Sequence, residues 1–293
     1  MEPDVLINNT TYPIPVQDLK EGDIPLGLDK YQTEATRVTD DQLDAISYNK
    51  ISTDIEAHGD AITGIKFKKA AHAMTPYNDT KKTPVVPTSG TADANGRKKL
   101  VRLDIINLKR RLDAAGVPAG GRRLVLCSDH VNDLLELDQK FSEQYYNYKT
   151  GRITNMYGFD VYEYEENPVF GKDGVKKTFA SAPADGEYQA SFAFYTKRSF
   201  KANGSTKMYY QRAENSPTTQ ESLVNFRHYF MVMPKKMEGI GAIYSWDGTT
   251  AQTKGQEAPT AKFWHDARKE AADAAEAKKT EEKTVDPNGE LEE

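Results

Sequence analysis

Apolar positions along this chain follow two rhythms, one helical and one extended, with long polar stretches between them. Tyr48, Ile51, Ile55, Ile62 and Ile65 recur three, four or seven residues apart, which predicts one long helix over residues 40–74. Thr39 and Gln42 fit a capping box at its start. Asp40 and Asp41 sit in the first turn, where the helix dipole favours carboxylates. Pro76 ends it, and at 1.5 Å per residue it would run roughly 50 Å. Gly59 and Gly64 weaken its middle.

A second helix is expected after Asp104, with Ile105, Leu108, Leu112 and Ala115 on one face, Gly116 at C′ and Pro118 beyond. Arg122 to Cys127 then reads as a short buried strand, and Ser128 as the cap of a third helix facing inward through Val131, Leu134 and Leu135. Further on the period changes to two. Ile153 to Tyr164 reads as strands around Gly158. Phe192 and Phe194 alternate with Ala193 and Tyr195, and Phe226, His228, Phe230 and Val232 alternate with Arg227, Tyr229, Met231 and Met233 until Pro234 stops the run. Ile240 to Trp246 supplies another strand. Helices and strands mixed at this pitch give an α/β or α+β layer, and α+β is the fold class expected.

Three stretches cannot build a core. Residues 1–38 are extended: Pro13 and Pro15 block a helix, a turn falls at Lys20 to Asp23, and Ile24, Leu26 and Leu28 return as a second run. With Ile14 and Val16 these are too few apolar residues to bury one another, so the hairpin is expected to need a neighbour. Residues 75–100, rich in Pro, Gly, Thr and Asn, read as one long functional or mobile loop. Residues 260–285 carry no apolar stripe beyond Trp264 and read as a solvated helix or a disordered tail.

Composition agrees with this division. The chain of 293 residues is 38% hydrophobic with a net charge of −5, and its mean hydropathy is −0.72. Residues 261–293, with six Lys/Arg against ten Asp/Glu, contribute −4, which leaves −1 for the rest. No strongly basic balance marks a nucleic-acid binder. The single cysteine, Cys127, excludes an intramolecular disulfide framework and a cysteine-based zinc site. The first residues resemble no signal peptide, and no apolar run approaches the ~20 residues of a membrane helix.

Chemistry-bearing patterns are sparse. His58, His72, His130, His228 and His265 form no HExxH or HxH motif. His58 is read as a satisfied core histidine, and His130 as locally structural. There is no Gly-x-Ser-x-Gly elbow. The run from Gly116 to Gly121 beside Arg122 and Arg123 lacks the Gly-Lys-Ser/Thr ending of a phosphate loop, so it is read as a helix cap and turn. Gly96 to Lys99 is read as an ordinary basic loop tip, and Glu163, Glu165 and Glu166 as an exposed strand end rather than a cation site. Cys127 is read as an inert core thiol. Lys109, Arg110 and Arg111 lie opposite the apolar face of their helix, as a solvated face or as a contact for a neighbouring subunit's carboxylates. No catalytic residue, cofactor or metal is expected.

Three segments together resemble the major capsid proteins of tailed bacteriophages, the Hong Kong 97-type fold. They are LDKYQTEATRVTDDQLDAISYNKISTDIEAHGDAI, GRKKLVRLDIINLKRRLDAAGVPAGGRRLVLCSDHVNDLL and GRITNMYGFDVYEYEENP, spanning much of residues 28–168. The resemblance implies an N-terminal arm over 1–11 and an extended hairpin, the E-loop, over 12–38. A spine helix and loop of a peripheral domain would occupy 39–100, an axial domain 101–222, a return to the peripheral domain 223–260, and a charged tail 261–293. It implies a shell protein of hexamers and pentamers enclosing double-stranded DNA without sequence-specific binding. A separate scaffolding protein and a portal protein would be its partners. The shell would assemble in the bacterial host cytoplasm and end in the virion. In such proteins the hairpin lies across the next subunit, which would bury Ile14, Val16, Ile24, Leu26 and Leu28. The chain carries no charged helical pro-segment before the arm, which implies that scaffolding is a separate protein or that a segment was removed. Two other classes remain open: an encapsulin-type nanocompartment, which shares the fold and would bind a cargo peptide, and an enzyme with an unrecognised site.

Overall fold

The chain is described by a computed structural model covering residues 27–39, 50–137, 146–147, 152–153, 155–216 and 218–255. All but Gly27 of these fall within one unit, Leu28–Lys262.

Most of the strands fall into two sheets. The first is six-stranded, in the order β3-β14-β11-β4-β8-β7. Its members are β3 (Val85–Pro87), β4 (Arg122–Leu126), β7 (Asn155–Met156), β8 (Phe159–Glu163), β11 (Ser191–Tyr195) and β14 (Ile240–Tyr244). The β3–β14 and β4–β8 pairs are parallel and the others antiparallel. The second sheet consists of β12 (Ser199–Gln211), β13 (Glu221–Pro234), β1 (Asp29–Gln32) and β2 (Thr36–Thr39), with β13 pairing all three others antiparallel. Short pairs, β5 (Tyr146–Asn147) with β6 (Arg152–Ile153) and β9 (Val169–Phe170) with β10 (Tyr188–Gln189), complete the strands.

Side-chain alternation gives the six-stranded sheet two covered faces. Helix α2 (Arg102–Ala114) and helix α3 (Ser128–Leu137) pack one of them. There Ile105, Leu108, Leu112, Leu124, Leu126, Leu134, Phe159, Ala193 and Ile243 form the main core. On the other face Val85, Phe170, Ala190, Ala242 and Tyr244 form one cluster, and Ala71, Met74, Phe192 and Ile240 another. The second of these clusters joins the end of helix α1 (Lys50–Ala73) to the sheet. Fully burying a Leu, Ile or Phe side chain stabilises by roughly 1.5–3 kcal/mol, and the helix-covered face buries the largest of the three apolar clusters.

Several expectations meet the structure directly. Gly116 stands just past α2 with φ +67, as a C′ residue does. Tyr157 and Gly158, at φ 50 and φ 84, form the two-residue turn between β7 and β8. Both positions need a left-handed backbone, which glycine adopts without steric cost. Helix α1 ends three residues before Pro76. The proposed cap at Thr39 and Gln42 lies partly outside the described residues, and Thr39 itself closes β2.

Others are corrected. Residues 29–39 do not wait for a neighbour: β1 and β2 pair with β13 of their own chain, and Val38 is fully buried. Ile65, expected on the buried stripe of α1, is 53% exposed, while His58, Ile62 and Ala71 face in. The loop over 75–100 contains a strand of the central sheet, because Val85 and Val86 are apolar enough to join β14 and be buried there. Asp104 is not the cap of α2 but its third residue. Val101 is the N-cap, and its amide donates to Asp104 Oδ2 at 3.1 Å.

Candidate assembly surfaces

The polar interior holds α3 to the loop before α2. Arg97, read as a loop-tip residue, is only 7% exposed, and its guanidinium donates to both carboxylate oxygens of Asp133 on α3 at 2.8 and 2.7 Å. Asp93 accepts from its Nε at 3.1 Å. Asp133 also takes the amide of Leu100, so a buried carboxylate has three donors and its charge is compensated. The Asp133 hydrogen bond pushes the Arg97 pKa up. Gly96 to Lys99 therefore anchors a loop to a helix. A basic residue three positions before a leucine that proves fully buried was the only local signal of this.

His130 is completely buried, with Nδ1 2.6 Å from Ser191 Oγ and Nε2 3.0 Å from Ser245 Oγ. It ties α3 to β11 and to the residue after β14, as a structural histidine does. Burial lowers its pKa from 6.5 to about 4. His58 is satisfied too, by Thr36 Oγ1 at 2.7 Å. Cys127 is buried, which raises its thiol to about 11 and leaves it inert. Arg122, also buried, donates to Pro118 O, Val117 O and Asp113, so it clamps the turn that follows the helix cap. Lys176 Nζ caps the carbonyls of His72 and Thr75 at 2.8 and 2.6 Å, past the end of α1. Burial lowers its pKa to about 8.

The eight residues expected at subunit contacts divide. Ile14, Val16, Ile24 and Leu26 lie outside the described residues. Leu28 is half-buried, ahead of β1 and close to Gly204 of β12. On α2, Arg110 is exposed and Lys109 half-buried. Arg111 turns inward: its Nη2 lies 2.5 Å from Asp79 Oδ1, and it also reaches the carbonyls of Thr80 and Val85. Its charge is matched within the chain because the loop after α1 returns beside α2. Among the described residues no group of three His, Cys, Asp or Glu side chains is placed to hold a metal ion. No helix among them is long and apolar enough to cross a membrane.

A long helix lies on the four-stranded sheet with its two long strands, and two further helices cover one face of the six-stranded sheet. That architecture defines a class, the phage major-capsid fold, and solved structures share it. The chain resembles Mycobacterium phage Che8 with a TM-score of 0.50 at 13% identity, over 74% of this chain and 71% of that one. It resembles the capsid of cyanophage P-SCSP1u with a TM-score of 0.50 at 13% identity, over 84% of this chain and 81% of that one. The acidic stable capsid of Helicobacter pylori bacteriophage KHP30 gives 0.50 at 12% identity, over 74% and 73%. No protein-family model and no curated protein matches the chain.

Proposed function

We propose that this chain is a major capsid protein that self-assembles into an icosahedral phage shell enclosing double-stranded DNA. The observation that carries this reading is the capsid fold, matched over most of the chain's length. The β1–β2 segment and α1 with the β12–β13 sheet act as the peripheral domain, and the six-stranded sheet with α2 and α3 as the axial domain. The role is structural rather than catalytic. Its partners are further copies of itself as hexamers and pentamers, a separate scaffolding protein and a portal protein. Assembly takes place in the bacterial host cytoplasm, and the product is the virion. Ile14, Val16, Ile24, Leu26 and Leu28 are buried against the next subunit, while Lys109 and Arg110 offer their charges to a neighbour's carboxylates. Arg111, bound to Asp79, holds the helix that presents them.

The test is assembly. The purified chain, alone or with its scaffolding partner, is expected to form closed particles in negative-stain microscopy, with subunit contacts of at least roughly 1,600 Å² each. A chain that stays monomeric at high concentration with the scaffold present overturns the reading. Enzyme cargo in place of DNA within the particles would move the assignment to a nanocompartment shell.

A further inference from the structure

Among the described residues, helix α1 packs against one face of the sheet formed by β1, β2, β13 and β12, and the other face is left open. Tyr31 and Asp29 of β1 meet Lys69 of α1, and Phe226 of β13 meets His58. Thr36 also meets His58, and Phe230 lies under Lys66. These residues alternate along their strands, so the residues between them point the other way. The opposite face carries Lys30 and Gln32, Arg37, Lys207 and Tyr209, and Arg227 and Tyr229. The registers place them in rows, with Gln32 opposite Arg227, Arg227 opposite Lys207, and Lys30 opposite Tyr229.

The charge on this face is one-sided. Lys30, Arg37, Lys207 and Arg227 give +4 against Glu221, a net of +3, on a chain whose total is −5. Glu221 is already held by Arg37 at 2.7 Å. Glu34 is exposed in the turn between β1 and β2. Arg227 stands between two aromatic rings, 5.4 Å from the centroids of Tyr209 and of Tyr229. Its Nε is buried with no acceptor among the described residues. Tyr209 is 44% exposed and Lys207 is exposed as well. At roughly 4.8 Å between strands, the row from Gln32 to Lys207 spans about 10 Å.

We propose that this open face binds the phosphate backbone of nucleic acid without regard to sequence. The inference rests on the reading of the chain as a DNA-enclosing shell. Cations spread over four strands suit a polyanion with repeating charge, and tyrosines beside them suit sugars and bases. An acidic protein surface is less well matched, because the named residues of this face are cations and tyrosines rather than the apolar lining that seats an anchoring side chain. The linear charge balance hides the site because alternation sorts the cations onto one side.

The experiment is fluorescence anisotropy with the unassembled full chain and a labelled random-sequence DNA duplex. Three phosphate contacts give a log–log salt slope of about −2.7, so affinity falls about 40-fold between roughly 50 and 200 mM salt. Duplexes of unrelated sequence are expected to bind equally. The Lys207→Gln, Arg227→Gln double variant is expected to lose at least about tenfold in affinity and to bring the slope toward −1. Lys207→Arg with Arg227→Lys keeps both charges and is expected to keep binding. Should the Arg227 variant melt early, Lys30→Gln with Lys207→Gln, at two exposed positions, carries the same expectation. No duplex binding at low salt, an unchanged slope in the neutralised variant, or equally strong competition by polyglutamate overturns the proposal; the last would mark an acidic-protein surface. Microscopy of the same samples keeps the two readings apart. Wild-type particles that form without duplex binding by the subunit remove this inference alone, and failure of the wild type to assemble removes the shell reading.

Discussion

His130 shows how one buried side chain couples the fold to pH. Its folded pKa lies near 4, below the ordinary 6.5, because burial disfavours the charged ring. A group with a depressed basic pKa lends its stability fully above about pH 6.5 and loses it as pH falls toward 4. Asp133 and Arg97, the charged groups beside it, act on the ring in opposite directions. The shift corresponds to about 3 kcal/mol across that window. Urea unfolding at pH 7 and pH 4.5 is expected to show a smaller loss of midpoint for His130→Gln than for the wild type; equal losses would place the acid sensitivity elsewhere. Arg97 gives a second prediction. Arg97→Ala leaves Asp133 buried with only the Leu100 amide and is expected to cost about 3–5 kcal/mol in the same assay at neutral pH. A loss below 1 kcal/mol would mean that water replaces the guanidinium. The sequence showed Arg97 only as one cation in a polar loop, because its partner lies thirty-six residues away on another element.

At the scale of elements, local patterns were legible where an element's own periodicity decides its burial. Helix α2, its C′ glycine, β4, α3 and the β7–β8 turn all stand where their sequences place them. Failures came where burial depends on a distant partner. β3 has only three residues and takes its identity from β14. The β12–β13 pair adds another case. The register shifts between Asn203 and Thr206, and at Gly204 an added Cβ would come within 2.7 Å of Tyr229 Cβ, so only glycine fits that approach. The hairpin expected over 12–38 provides the test at this scale. Replacing residues 17–28 with a short Gly/Ser turn is expected to leave circular dichroism and the melting midpoint within a few degrees of wild type, since β1 begins at Asp29. It is also expected to abolish particles in light scattering and microscopy. Normal particles would refute the hairpin's role; global unfolding would show that it packs on its own chain.

For the whole molecule, charge and hydrophobicity were read from the sequence as totals, and the fold redistributes them. Residues 266–293 lack an apolar stripe and lie in the strongly acidic end of the chain. Their deletion is expected to leave the thermal midpoint nearly unchanged by calorimetry, and a fall of many degrees would reveal a docked element. What the sequence determined by itself was the class of fold, the order of its main helices and strands, and the poverty of catalytic motifs. Those follow from periodicity, turn chemistry and residue type, which act over a few positions. Only the tertiary structure decided that Arg97 is an interior residue, that Arg111 is bound within the chain, that residues 29–39 add strands to β13, and that the cations of four strands share one open face. The physical reason is that burial, charge pairing and strand register are set by which elements meet. In this chain those meetings join residues tens to nearly two hundred positions apart.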